Sequence, residues 1–287
     1  GGNRAPQTID PELVRHVDFA AACSPGTWNS SGFRSLSERE RTERAGMLFA
    51  ASETDRFLEL TKRPHAGFRV GYVGTVDPVK MHPRYVQLSH AVKGDDVRFV
   101  VCGGPLHAQL AATAARLGDR RFEFLGHVDD VGAQLEIMDV FGYPLCEETY
   151  AGSELALQEA MAAGVPAVVF PHGGLSELVV DGVDGLVVRS EKAYSEAIER
   201  LRNDPALLAR LSEGARRKAK EMFRPDPWAE AWSRVFRSMA SDPKRSRPPL
   251  HPELARASWG EWLARSFGKD GVRFLESLRP ASLDAAF

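Results

Sequence analysis

The sequence predicts a doubly wound α/β domain with a parallel sheet over residues 67–190, and three observations predict it. Short runs rich in Val, Phe, Tyr and Leu recur through the middle of the chain and are apolar on both faces, as strands covered by helices on both sides must be. Segments with apolar residues at three- and four-residue steps stand between them. Glycines end most of the runs. Strand and helix in alternation build right-handed crossover units, and hence a parallel sheet.

The elements follow in order. Phe68-Arg69-Val70-Gly71-Tyr72-Val73-Gly74 is the first strand, short, rich in β-formers and closed by a glycine. Residues 97–102 form the second, stopped by Gly103-Gly104-Pro105, and 121–125 the third, stopped by Gly126. Residues 139–145, 165–170 and 185–188 supply three more. Leu106, Leu110, Ala114 and Leu117 form one helical stripe. In the segment 152–163, Leu155, Glu159 and Ala162 share a face, and Gly164 closes the helix as a C-terminal glycine does.

Beyond the sheet, residues 191–241 read as C-terminal helices packing on it. Leu208, Leu211, Ala215, Ala219 and Met222 make one stripe; Trp228, Trp232, Val235, Phe236 and Met239 make another. The last part, 242–287, opens as a linker rich in Pro, Arg and Ser and continues as an amphipathic helix through Ala255, Trp259, Trp262 and Leu263. At the front, 1–66 reads as a reduced, mostly helical region. Its clearest signal is Ser37-Glu38-Arg39-Glu40, a capping box.

Composition bounds the function. The 287 residues are 43% hydrophobic and 26% charged, an ordinary globular profile. A net charge of −2 argues against a nucleic-acid binder that works through a general basic field. Cys23, Cys102 and Cys146 form neither a paired framework nor a zinc spacing. With no spanning apolar stretch and no secretory signal, a cytoplasmic protein is expected; a peripheral membrane contact stays open.

The chemistry sits at the strand ends. Gly74, Gly103-Gly104, Gly126 and Gly173-Gly174 stop successive runs, and in an open parallel sheet those ends line the ligand crevice. Glycine there lets backbone N–H groups approach a phosphate, although a single glycine can equally do no more than turn the chain. Neither G-x-G-x-x-G nor a Walker motif is present. The Gly152-Ser153 turn feeds a helix N-terminus, a suitable place for a diphosphate. One turn later Glu159 offers a carboxylate that can take both hydroxyls of a ribose. An exposed helical glutamate is a common alternative, weakened here by the apolar neighbours Ala160-Met161-Ala162.

Glu159-Ala160-Met161-Ala162-Ala163-Gly164-Val165-Pro166 resembles the hallmark of the family 4 retaining glycosyltransferases, enzymes of the two-domain GT-B fold. The likeness continues in order on both sides. Gly71-Tyr72-Val73-Gly74-Thr75-Val76 with Lys80 resembles the first strand, glycine loop and phosphate-facing lysine of the Rossmann-like, C-terminal donor domain. Val100 to Pro105 resembles its second strand and turn, and Phe124-Leu125-Gly126-His127-Val128 the segment passing the nucleobase. His172-Gly173-Gly174-Leu175-Ser176-Glu177 and Asp184-Gly185-Leu186 resemble the next two elements.

The resemblance implies a nucleoside-diphosphate sugar (UDP or GDP) as substrate, a hydroxyl acceptor, retention of configuration, and neither cofactor nor metal. It implies that Glu159 binds the ribose and Lys80 the diphosphate. Gly74, Thr75, Gly103 and Val128 would line the nucleotide, and the backbone of Gly152-Ser153-Glu154 would hold phosphate or sugar oxygens.

Three departures qualify it. Ala151 stands where the family has a sugar-contacting glutamate, leaving Glu147, Glu148 and Glu154 as substitutes or as ordinary solvated acids. Thr75 stands where an arginine is usual, which lowers the charge facing the leaving group. Only 66 residues precede the recognised domain at 67–190, too few for a full acceptor domain. The sequence therefore supports a glycosyltransferase carrying mainly the donor half, or a non-catalytic nucleotide-sugar module that needs a partner protein or domain. The tryptophans at 228, 232, 259 and 262 could serve such an interface or pack internally. An enzyme modifying a nucleotide sugar is disfavoured by the missing dinucleotide fingerprint.

Overall fold

The computed structural model of the chain describes residues 14–241 apart from 15, 49, 51, 150 and 151. The linker and helix expected beyond residue 241 lie outside the described residues, as does Ala151.

The chain first builds a small unit. Strands β1 (Ala20–Ala22) and β2 (Ala45–Met47) pair in parallel, joined by helices α1 (Pro25–Trp28), α2 (Ser31–Arg34) and α3 (Glu38–Arg44). Val14, Ala20, Ala22, Phe33, Leu36 and Ala45 are buried together, with Trp28 packed against them. The capping box forms: the Glu40 N–H donates to Ser37 Oγ at 3.2 Å, and the Ser37 N–H donates to Glu40 Oε2 at 2.9 Å. Helix α4 (Thr54–Leu58) then leads into the main sheet. Region 1–66 thus carries strands as well as helices among its described residues.

Six parallel strands follow: β3 (Phe68–Val73), β4 (Val97–Cys102), β5 (Phe122–Gly126), β6 (Val140–Tyr143), β7 (Ala167–Val169) and β8 (Gly185–Val187). Their spatial order is β5-β4-β3-β6-β7-β8. The chain winds outward from β3 to one edge, returns to β6, and winds to the other edge. That reversal places the ligand crevice beyond the carboxyl ends of β3 and β6. The central strands are buried but for Arg69 and Arg98, as runs apolar on both faces require: Val70, Tyr72, Phe99, Val100, Val140 and Phe141 have no exposed surface.

Helices α5 (Tyr85–His90), α6 (His107–Arg116), α7 (Val131–Leu135), α8 (Leu155–Ala162), α9 (Leu175–Leu178), α10 (Glu191–Asn203) and α11 (Pro205–Met222) flank the sheet. One buried cluster joins Leu157, Met161 and Ala215 to the sheet, and a second joins Leu88, Ile198, Leu201 and Leu211 to it. Helix α12 (Pro225–Ser241) ends the described chain. None of its residues is buried, and its aromatic stripe stacks upon itself, with Trp232 and Phe236 5.5 Å apart.

Several boundaries differ from the pattern in the sequence. The run 139–145 yields a strand only to Tyr143. Beyond it the chain turns to the loop after β3, where Met81 bridges Leu145 and the His82 N–H donates to Pro144 O at 2.8 Å. The helix expected over 152–163 begins only at Leu155, because Glu154 sits in the left-handed region at φ 47°, ψ 61°. Leu155, on the expected apolar face, is 43% exposed; the buried side is Leu157, Gln158, Ala160, Met161 and Ala162. Among the described residues no helix is long and apolar enough to cross a membrane.

Candidate functional site

The floor of the crevice is made of turns bonded to one another. The Gly74 N–H donates to Cys102 O at 3.0 Å and the Gly103 N–H to Gly126 O at 2.6 Å. The Val76 N–H donates to Gly104 O at 2.8 Å. Gly103 is the tightest point: its φ is +132°, and a Cβ there would lie 1.8 Å from Gly74 O. Gly74 and Gly103 therefore shape the floor, and their amides are already used within it. Thr75 is half-buried, and its carbonyl accepts the Tyr72 hydroxyl at 2.8 Å.

The wall beside this floor carries the charge. Lys80 lies in a loop that is pinned twice. Asp77 Oδ1 accepts the Val79 N–H at 2.6 Å, and Lys80 O accepts the Cys146 N–H at 2.9 Å. The side chain of Lys80 is only 14% exposed, with Nζ 3.2 Å from Glu154 Oε2 and 5.7 Å from the centroid of the Tyr143 ring. The same carboxylate oxygen accepts the Tyr143 hydroxyl, while Oε1 accepts the Gly152 N–H at 3.0 Å. Lys80, Gly152 and Glu154, all singled out in the sequence, thus meet around one carboxylate. Tyr143 was not among them. A tyrosine in an apolar run reads as core, and only its place at the carboxyl end of β6 aims the hydroxyl at Glu154.

The remaining predicted residues are spread around this centre. Glu148 is exposed, next to the equally exposed Glu147. Ser153 Oγ donates across to Cys23 O at 2.8 Å, so the N-terminal unit reaches the turn before α8. The Gln158 amide reinforces that contact, donating to Ala50 O at 3.0 Å and Ser153 O at 2.7 Å. Val128, half-buried, packs on the main core. Glu159 sits midway along α8 and half-buried. Burial pushes its carboxyl above the ordinary value, partly opposed by Arg56 of α4, with Glu53 adding to the rise.

Two histidines that the sequence pattern gave no role, one of them in the His172-Gly173-Gly174 motif, lie near the strand ends. His82 and His172 both pack against Phe170, with centroids 5.4 and 5.6 Å away. Burial lowers both pKa values, opposed by Glu191 at His82 and by Glu147 at His172.

A largely covered ammonium, a turn before a helix and a glycine-lined floor are thus gathered where the strand order of a doubly wound α/β domain reverses. Residues 67–204 match the model of the family of glycosyl transferases group 1.

Among curated relatives, a D-inositol 3-phosphate glycosyltransferase of Salinispora arenicola is 30% identical over 191 residues, covering 59% of this chain and 42% of that protein. The D-rhamnosyltransferase WbpZ of Pseudomonas aeruginosa is 33% identical over 144 residues, covering 47% of this chain and 37% of its own. The chain thus spans about two fifths of the length of these relatives. Among solved structures, Anabaena HepE in complex with UDP superimposes with a TM-score of 0.69 at 18% identity, over 83% of this chain and 70% of the other.

Proposed function

We infer that the chain binds a nucleoside-diphosphate sugar at the β3–β6 crevice and supplies the donor half of a retaining transfer to an acceptor hydroxyl. The observation that carries this reading is the meeting of the Lys80 ammonium with the turn before α8 at the switch point of the sheet. An ammonium and a helix N-terminus together attract a diphosphate and stabilise it as it leaves. Glu159, farther along α8, takes the ribose hydroxyls; Val128 flanks the base, and Gly74, Thr75 and Gly103 form the surface beneath the nucleotide. The match of residues 67–204 to the model of glycosyl transferases group 1 supports the reading, as do curated relatives that are named as glycosyltransferases.

A second reading has its own observation. The unit across the crevice holds only two strands among the described residues, so the acceptor side is completed by another domain or protein, and this chain alone binds donor without turning it over.

Calorimetric titration of UDP, GDP and their sugars tests both. Binding that falls about tenfold or more in Glu159→Ala, a hydrogen-bonded carboxylate being worth roughly 1.5–3 kcal/mol, supports donor binding; no binding of any nucleotide by the native chain or its variants overturns it. Donor hydrolysis or transfer by the chain alone favours the enzyme. Turnover only after a second protein is added favours the module.

A further inference from the structure

Glu154 has an arrangement that a solvent-facing acid does not. Its side chain is 4% exposed, and its carboxylate gathers an ammonium, a phenolic hydroxyl and a turn amide. Those are the donor types a phosphate group takes. Among the described residues it is also the one non-glycine residue with positive φ, a conformation that costs an L-residue roughly 1–2 kcal/mol. The backbone is thus held in a disfavoured region in the arrangement that turns the carboxylate inward.

We propose that Glu154 is a built-in anion occupying the phosphate cradle, which sets the affinity of the site because a diphosphate must displace it from Lys80. The proposal rests on the donor-binding reading above. With Glu154 in place, the Lys80–Glu154 pair presents no net charge to an incoming diphosphate. A second anion brought to the same ammonium meets like-charge repulsion in a poorly hydrated site. Binding therefore proceeds from the fraction of molecules in which the Glu154 side chain has rotated away, and the apparent affinity is reduced by that fraction. The open edge of Lys80, whose side chain keeps 14% of its surface, is where the exchange takes place. Glu154 in this role differs from a carboxylate that contacts the donor sugar. The first competes with the phosphates; the second adds to the sugar's binding and leaves bare nucleotide unaffected.

The test titrates UDP, GDP, their sugars and inorganic pyrophosphate into the native chain and into Glu154→Gln and Glu154→Gly. The glutamine keeps the shape without the charge, and glycine adopts the left-handed backbone without strain. Circular dichroism and melting of each variant establish that it is folded. We expect both variants to bind the diphosphates about tenfold or more tightly than the native chain, and Lys80→Met/Glu154→Gln to lose that gain. Nucleotide binding that is equal or weaker in both folded variants overturns the proposal and leaves the donor-binding reading standing. Unchanged affinity for UDP and GDP with weakened affinity for their sugars also overturns it, in favour of the sugar-contacting role. Pyrophosphate bound more tightly by the variants, with no nucleotide bound by any protein, upholds the internal anion and sinks the nucleotide-sugar reading. If neither probe binds any variant, both fall.

Discussion

The floor and the wall of the crevice are built on opposite plans. In the floor, the amides of Gly74, Val76 and Gly103 are bonded to neighbouring carbonyls, so no side chain is needed to hold its shape. In the wall, Lys80, Glu154 and Tyr143 hold one another through side chains drawn from a loop, a helix terminus and a strand end. A backbone network has one arrangement and resists substitution. A side-chain network can exchange one partner for a ligand. The contrast teaches where rigidity and where affinity reside in this domain, and mutations on the two sides should differ in kind as well as in size.

The largest effect is expected from the floor. Gly103→Ala would drive a methyl group to 1.8 Å from Gly74 O at a φ of +132°. The backbone must move, and a loss of about 3 kcal/mol or more in unfolding free energy is expected. Gly118→Ala is the control: φ is +67°, and nothing lies within 4 Å of the new Cβ. There only the conformational cost remains, about 1 kcal/mol. Equal losses in urea melts of the two variants would show that the floor is not a rigid element.

The next effect belongs to the wall. Lys80→Met leaves the Glu154 carboxylate buried without its cation. Removing one member of a fully buried pair costs about 3–5 kcal/mol; the open edge of Lys80 and the two remaining hydrogen bonds reduce that to about 1–3 kcal/mol here. Adding Glu154→Gln should restore most of the stability while nucleotide binding stays lost. A coupling energy near zero in this double-mutant cycle would mean that the two side chains do not depend on one another.

These two regions were not equally legible in the sequence. The floor was, because strand-end glycines and apolar runs such as 68–74 and 97–102 record the backbone directly. The parallel sheet followed from the same alternation. The wall was legible only in part. Lys80, Gly152 and Glu154 could be named, but their convergence depends on Glu154 adopting a left-handed backbone, which residue type does not signal. The Gly-Ser turn pointed instead to an earlier start of α8. The N-terminal strands escaped notice for another reason: Ala20–Ala22 and Ala45–Met47 contain no β-branched or aromatic residue, so they carry none of the usual strand signal. They exist because tertiary burial beside Phe33 and Val14 favours them.

The smallest effect separates the two glutamates of the α8 region. Glu154 has an ammonium partner at 3.2 Å. Glu159 is dominated by burial, which raises its carboxyl pKa despite Arg56. A carboxyl with a raised value favours its protonated form in the folded protein. Its contribution to stability is therefore complete below the ordinary unfolded value, about 4.3, and is lost as pH rises through the folded value. Glu159→Gln imitates the protonated state at every pH. The variant should match the native chain in thermal melts at the acid end and exceed it slightly once Glu159 ionises, while binding nucleotide more weakly at neutral pH. A gap in melting temperature of the opposite sign at neutral pH would mean that Arg56, rather than burial, governs this carboxylate.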